Sequence, residues 1–201
     1  MLKQLYPDLK QHLSTFFDEE IRYKLAEINY LKLNKEFTID KACRYGCLNM
    51  IKWLRENRDA DPWNEKAIAL ASKNGHLEIV KWLRENGAPW DEDAITCASM
   101  NGHLDIIQWL YENGAPWDEN AIAIASYGGH FEIVKWLHEN GAPWDSSAIE
   151  YASEGGHFEI VKWLRENGAP WDELAIATAS HNGHFEIVKW LRENGAPRQK
   201  D

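Results

Sequence analysis

The sequence is poor in cysteine, in basic charge and in long apolar runs. Its 201 residues include only three cysteines, Cys43, Cys47 and Cys97, and this small, odd number argues against a disulfide framework. Lysine and arginine number 22 against 32 aspartates and glutamates, so the net charge is −10. Such a charge disfavours nucleic acid and anionic membranes as partners. No run approaches the roughly 18 to 20 apolar residues of a membrane span, and no signal-peptide core is visible. We expect a soluble, cytoplasmic protein.

Motifs of catalysis and of cofactor binding are also missing. The sequence has no Walker loop, no dinucleotide-binding glycine pattern, no nucleophile elbow and no zinc-type set of cysteines and histidines. We therefore predict that the protein is not an enzyme and takes no cofactor and no metal. His181 and His184 with Glu186 resemble a short metal-ligand cluster, but His184 belongs to a row of repeated histidines. Cys43 and Cys47 are predicted to be small buried thiols.

Tryptophan, in contrast, is abundant and regularly spaced. From Trp63 onward the intervals between tryptophans alternate between 19 and 8 residues, which defines a repeat of 27 residues. A repeat of this length is one supersecondary unit whose apolar face is covered only by its neighbours. The period therefore predicts a solenoid. Its predicted units are 38–66, which is recognisable although Cys47 replaces a histidine, and 67–93, 94–120, 121–147, 148–174 and 175–201.

The sequence pattern of each unit predicts two short helices and no strand. The first helix begins after a capping residue such as Asp118 and ends at the glycine that precedes the repeated histidine. The second helix covers His103 to about Asn113 in the unit 94–120. It ends where Gly114 tolerates left-handed backbone and Pro116 follows. Apolar residues cover more than half of this helix, so neighbouring elements must cover it on several sides. The predicted fold class is all-α.

Two segments resemble ankyrin repeats. GHLEIVKWLRENGA resembles the second helix and its exit turn, and AIALASKNGH resembles the first helix, over a match that runs from about Thr38 to the C-terminus. The usual Thr-Pro-Leu-His signature is absent. Each unit is about six residues shorter than the usual repeat of roughly 33 residues, at the place where ankyrin repeats project a β-hairpin finger.

Short units that end in Pro-Trp-Asp are similar to ankyrin-type proteins of large DNA viruses, protists and algae. The resemblance implies a solenoid of about six ankyrin-like helix-turn-helix repeats without long β-hairpin fingers. It also implies a scaffold for protein–protein interaction, in the cytoplasm or, for a viral chain, in the host-cell cytoplasm.

The two ends differ from the middle. Residues 1–37 lack the tryptophan spacing but carry leucines at helical intervals, and we interpret them as a divergent N-terminal helical cap. At the other end, Arg198 stands where the period places a tryptophan, whereas Val188 and Trp190 are unchanged from interior units. We therefore expect an exposed apolar end face that a second copy or a partner covers, which makes a homo-oligomer the alternative to partner binding as the function.

The repeated side chains favour structural roles. One histidine per unit forms a row that cannot converge on one metal ion, so we predict that each ring hydrogen-bonds the turn between helices. The tryptophans are predicted to pack in the core. Lysines and arginines of the second helices interleave with glutamates and are predicted to form a compensated, solvated surface. This row of histidines consists of His76, His103, His130, His157 and His184.

The first helices combine a constant face with a changing one. Ala94, Ile95, Ala98 and Ser99 are constant between units and lie on one arc, while the opposite arc changes from unit to unit. Neutral drift at exposed positions is the simpler explanation of that change. Against it, the arc holds adaptable or aromatic residues of the kind found at binding hot spots. The predicted partner-binding residues are Met100, Tyr127 and Tyr151 as anchors and Lys73, Thr96, Glu150, Glu154 and His181 for specificity. Tyr111 and His138, on second helices, are interpreted as a second contact edge.

Overall fold

The computed structural model describes residues 38–57 and 63–197. These two stretches belong to two compact units that divide between Pro62 and Trp63. The helical cap predicted for residues 1–37 and the position of Arg198 lie outside the described residues.

Residues 38–57 form two helices, α1 (Ile39–Arg44) and α2 (Leu48–Asn57). The hydroxyl of Thr38 accepts a hydrogen bond from the backbone N–H of Lys41 at 3.3 Å and so caps α1. Between the helices Gly46 has a φ of 74°, a conformation that few residues other than glycine adopt.

The prediction of two buried thiols is correct for Cys43 and wrong for Cys47. Cys43 is fully buried, and burial, with the nearby charge of Asp40, raises the pKa of its thiol to about 12. Cys47 is exposed because it lies in the turn that follows α1, and its Sγ lies 3.7 Å from the carbonyl oxygen of Tyr45.

Residues 63–197 form ten helices in five pairs. Neither described stretch contains a strand, so the predicted all-α class and the absence of β-hairpin fingers are confirmed. The first helices of the pairs are α3 (Lys66–Lys73), α5 (Asp93–Met100), α7 (Asn120–Tyr127), α9 (Ser147–Glu154) and α11 (Leu174–His181). The second helices are α4 (Leu77–Glu85), α6 (Leu104–Glu112), α8 (Phe131–Glu139), α10 (Phe158–Glu166) and α12 (Phe185–Glu193).

The predicted start and stop signals explain these bounds. The Oδ1 atom of Asp118 accepts a hydrogen bond from the N–H of Asn120 at 3.1 Å, and the equivalent aspartates of other units make the same contact. At the exit of α6, Gly114 has a φ of 79° and donates to the carbonyl of Tyr111 at 3.0 Å. The chain then proceeds directly to the next unit.

The core lies between the row of first helices and the row of second helices. Each first helix packs against the first helices of neighbouring units and against the second helix of its own pair. The constant residues Ala94, Ile95, Ala98 and Ser99 are fully buried, as predicted. The second helices contribute fully buried leucines such as Leu110 and Leu137. Neighbouring pairs therefore share one continuous core, which is the arrangement of a solenoid.

Candidate partner-binding surface

The histidine row joins consecutive units through the backbone. The Nε2 atoms of His130, His157 and His184 lie 3.1, 2.9 and 3.0 Å from carbonyl oxygens that accept their hydrogen bonds. The three acceptors are the last residues of the preceding first helices, Met100, Tyr127 and Glu154. The structural role of these histidines is confirmed, although the acceptor belongs to the preceding unit rather than to the histidine's own turn.

The rings of His103, His130, His157 and His184 also pack on a glycine of the preceding unit. Gly129 has a φ of +74°, and a Cβ atom there would lie 2.5 Å from Cε1 of His157. The position therefore needs glycine both for its backbone and for the approach of the ring. Among residues 38–57 and 63–197, no group of three or more histidines, cysteines and acidic residues is arranged to hold a metal ion.

The tryptophans form an aromatic ladder between units. This ladder consists of the loop tryptophans and the second-helix tryptophans 19 residues later. Their rings meet edge to face at 6.3 Å for Trp90 and Trp109 and at 6.4 Å for Trp144 and Trp163. Four loop tryptophans contact the second-helix tryptophan of the following unit in this way, whereas Trp117 stacks on Tyr111 of its own unit. The prediction of a core location is wrong for all ten tryptophans from Trp63 onward, which are half-buried at the rim between units, whereas Trp53 is buried.

The position two residues after each second-helix tryptophan, which we call the ladder slot, holds a side chain that lies on the loop tryptophan of the same unit in four units. Arg84 lies 3.9 Å from the ring centroid of Trp90, and Arg165 lies 4.2 Å from that of Trp171. In the same slot Tyr111 and His138 stack on Trp117 and Trp144, at 4.8 and 4.1 Å between centroids. Tyr111 and His138 therefore replace the arginine in packing, a role that the sequence analysis did not identify.

Lysines and glutamates on the second helices neutralise one another. Nζ atoms lie within 3.2 Å of glutamate Oε1 atoms one turn away in three units, which confirms the predicted compensated surface. These pairs are exposed and contribute little to stability. They are Lys81–Glu78, Lys135–Glu132 and Lys162–Glu159.

We call the changing side of the first helices the first-helix face. All eight predicted partner-binding residues have exposed surface there, although the Oγ1 atom of Thr96 is buried. Lys73, Tyr127 and His181 are exposed, and the other five, Thr96, Met100, Glu150, Tyr151 and Glu154, are half-buried. The changing arc is narrower than predicted, because Ala69 and Ala123 on it are buried. Ala69 and Ala123 occupy equivalent positions of their helices, and neighbouring first helices pack against each other.

Four of the eight residues form a cluster across two units. The rings of Tyr127 and Tyr151 meet edge to face with centroids 6.4 Å apart. Beside Tyr151, partial burial raises the pKa of the Glu150 carboxyl, and the charges of Asp172, Glu154 and Asp145 add to the effect. Asp145 and Asp172 are the helix-start aspartates equivalent to Asp118, and their spacing from Glu150 along the chain gave no sign of this contact. The period of 27 residues brings them near Glu150, but recognising this requires the register between units.

The repeated pair of helices, joined by loops without strands and linked by the histidine row, defines a helical-repeat solenoid. A family profile described as ankyrin repeats (3 copies) matches residues 17–95, 39–121, 94–173 and 122–201. The chain belongs to the ankyrin-repeat family.

Known structures agree with this assignment. The crystal structure of the human ASB11 ankyrin repeat domain is similar with a TM-score of 0.62 and 21% sequence identity, over 80% of this chain and 85% of that chain. This likeness shows the fold. No curated protein sequence matches the chain. In the part of the chain that the structure describes, no helix has the length and apolar character needed to cross a membrane.

Proposed function

We propose that the chain is a non-catalytic, cytoplasmic scaffold that binds a protein partner through the first-helix face. Ankyrin repeats are generally protein–protein interaction scaffolds. The observation that carries the proposal is that variation between units concentrates on an accessible face, where Tyr127 is 48% exposed and contacts Tyr151 of the next unit. Large exposed aromatic residues are typical of binding hot spots.

The fold also favours tight binding at this face. The two first helices that carry Tyr127 and Tyr151, α7 and α9, are anchored in the core by fully buried residues such as Ile122 and Ile149. The surface is therefore formed before the partner arrives, and binding orders few side chains. Met100, Tyr127 and Tyr151 supply contact area, while Lys73, Glu150, Glu154 and His181 supply charge for specificity.

A triple substitution tests the proposal. Met100→Ser, Tyr127→Ser and Tyr151→Ser together remove the apolar anchors without touching a fully buried position. Proteins captured from cell extract by the unmodified chain should be lost from this variant, as measured by quantitative mass spectrometry. Phe185→Ser is the matched control, because Phe185 is 73% exposed and lies on the second-helix row. If the folded triple variant still captures the same partners, the proposal is contradicted.

Self-association is the second candidate function, and the exposure of the apolar side chains of Phe185 and Leu174 favours it. The equivalent Phe131 and Phe158 contact Trp163 and Trp190 of the following unit at 5.9 and 6.1 Å, whereas Phe185 and Leu174 are 73% and 46% exposed. A second copy that covers these side chains would produce a dimer that Phe185→Ser dissociates. Light scattering across a concentration series measures this, and a monomer at every concentration would exclude it.

A further inference from the structure

Charge is unevenly distributed along the first-helix face. Among the first helices of residues 63–197, α3 carries Lys66 and Lys73, whereas α5, α7, α9 and α11 contain no lysine or arginine. Acidic residues accumulate around α9, where Glu150 and Glu154 lie one helical turn apart and share a side of the helix. The lysines of α3 lie three units away, so the face around α9 has a negative potential that no lysine or arginine of its own helix offsets.

The cations of the same repeat unit are engaged elsewhere. The Nζ of Lys162 lies 2.8 Å from Glu159 and 4.3 Å from the ring centroid of Phe158, and Arg165 lies over Trp171. The ion pairs of α4, α8, α10 and α12 each join two residues of one helix, and none of these pairs includes Glu150 or Glu154. Both glutamates are half-buried. Partial burial of unpaired carboxylates is unfavourable, and a cation supplied from outside would relieve it.

An aromatic ring shares a side of the helix with one of these carboxylates. Tyr151 and Glu154 are three residues apart on α9, a spacing at which side chains are neighbours, and the ring of Tyr151 is 6.4 Å from that of Tyr127. The face of a tyrosine ring attracts a lysine or arginine head group, while the aliphatic part of such a side chain packs on the ring. Carboxylates next to the rings then form charge-assisted hydrogen bonds with the same head group. Rings and carboxylates together match a side chain that is apolar along its length and cationic at its end.

We propose that Tyr127, Glu150, Tyr151 and Glu154 bind a basic segment of the protein partner, with an arginine or lysine side chain on the tyrosine rings and between the two carboxylates. The inference rests on the proposed function, because it assigns partner chemistry to the same face. On the second-helix side, Glu78, Glu132 and Glu159 are already paired with lysines one turn away, so these carboxylates are not left for a cation of the partner.

Selection from a random peptide library on the folded full chain tests the inference. Enriched peptides should contain arginine or lysine, and a synthetic peptide of the enriched sequence is then the probe for fluorescence anisotropy. Glu150→Gln with Glu154→Gln should weaken its binding about tenfold or more, the loss expected for charge-assisted hydrogen bonds. Glu85→Gln with Glu166→Gln removes the same charge from exposed positions on second helices and should leave the affinity within about twofold, since distant surface charges are screened.

The possible outcomes separate this inference from the proposed function. Enriched peptides without basic residues, unchanged affinity in Glu150→Gln with Glu154→Gln, equal loss in both glutamine pairs, or no enrichment at all would overturn the inference. If peptides of any composition still lose binding in Tyr127→Ser with Tyr151→Ser, the first-helix face remains the binding surface. Peptides that bind this tyrosine double variant as well as the unmodified chain would contradict the proposed function too. Circular dichroism verifies that each variant is folded.

Discussion

The two sides of the repeat array differ in how freely their residues vary. On the aromatic ladder, the slot of Arg84 and Arg165 holds Tyr111 and His138 in other units, and all four side chains lie against a loop tryptophan. This slot accepts only flat side chains that stack. On the first-helix face, one slot holds Lys73, Met100, Tyr127, Glu154 and His181, which share neither charge nor shape.

The reason for that freedom is visible in the histidine row. At Met100, Tyr127 and Glu154 the histidine of the next unit binds only the backbone carbonyl, which accepts its hydrogen bond. The side chain has no part in that hydrogen bond, so the bond itself does not restrict which residue stands there. In this chain the histidine contact therefore tolerates any side chain at the acceptor position, whereas the ladder slot is filled by side chains that can stack on an indole.

The largest effect should come from the shared core. Leu137→Ala removes a fully buried side chain and should lower the free energy of unfolding by about 2 to 5 kcal/mol. Tyr127→Ser, on the first-helix face, should cost less than about 1 kcal/mol, because it removes only a partly exposed ring contact. Urea denaturation measures both. Similar losses for the two variants would remove the distinction between the constant and the changing side.

Substitutions at two glycines distinguish the stability cost of backbone strain from the cost of displacing a histidine ring. Gly129 and Gly141 have φ values of +74° and +85°, but only at Gly129 would a Cβ atom meet a ring, that of His157. Gly141→Ala should cost roughly 1 to 2 kcal/mol for the left-handed backbone, and Gly129→Ala about 1 to 3 kcal/mol more because the ring must move. Denaturant unfolding of the two variants provides the difference. Equal costs would show that the ring contact contributes nothing.

A smaller effect should follow when His138 is returned to arginine. His138→Arg restores the residue that lies over the loop tryptophan in other units, such as Arg84 over Trp90, and should add up to about 1 kcal/mol of stability. His181→Arg makes the same change on the first-helix face and should leave the melting temperature nearly unchanged. Thermal unfolding compares the two, and an equal gain in both would indicate a general charge effect instead of stacking.

The smallest effect concerns pH. Because the pKa of Glu150 is raised in the folded chain, its carboxyl contributes stability that is fully present below the ordinary value of 4.5 and is lost as the pH rises through the raised pKa. Glu150→Gln should therefore be more stable than the unmodified chain at neutral pH, by less than about 1 kcal/mol, because the carboxyl is only partly buried and solvent screens its charge. The gain should vanish in acid. Urea titrations at several pH values measure this, and a gain independent of pH would contradict it.

Much of the fold followed from the sequence because its signals are local. Asp118 and Gly114 set helix ends through contacts within a few residues, and the tryptophan period reports the unit length directly. The location of the tryptophans was predicted wrongly because each indole packs against a neighbouring unit at one edge and leaves the other edge in solvent. Cys47 was misplaced for a similar reason: the turn that carries it is open, although the matching slot holds a histidine elsewhere.

The candidate site was predictable only in part. Helical periodicity placed Tyr127, Glu150 and Tyr151 on one side of the first helices, and the structure describes all three there. Their meeting across two units depends on the offset between adjacent helices, which places the last residue of α7 beside the middle of α9. Spacing along a single chain carries no information on that offset. The contribution of Asp172 to the environment of Glu150 depends on the same offset.

The opposite directions of the two inter-unit contacts have a mechanical consequence. His157 and His184 reach back to the preceding unit, while Trp144 and Trp171 reach forward to the following one, so the junctions between the last three units are held on both flanks of the stack. A unit cannot melt without releasing ties to both neighbours, and the energy of those ties couples melting along the array. The interior repeats should consequently open together as one block, and anything that grips Tyr127 and Tyr151 would slow the exchange of amide protons several units away.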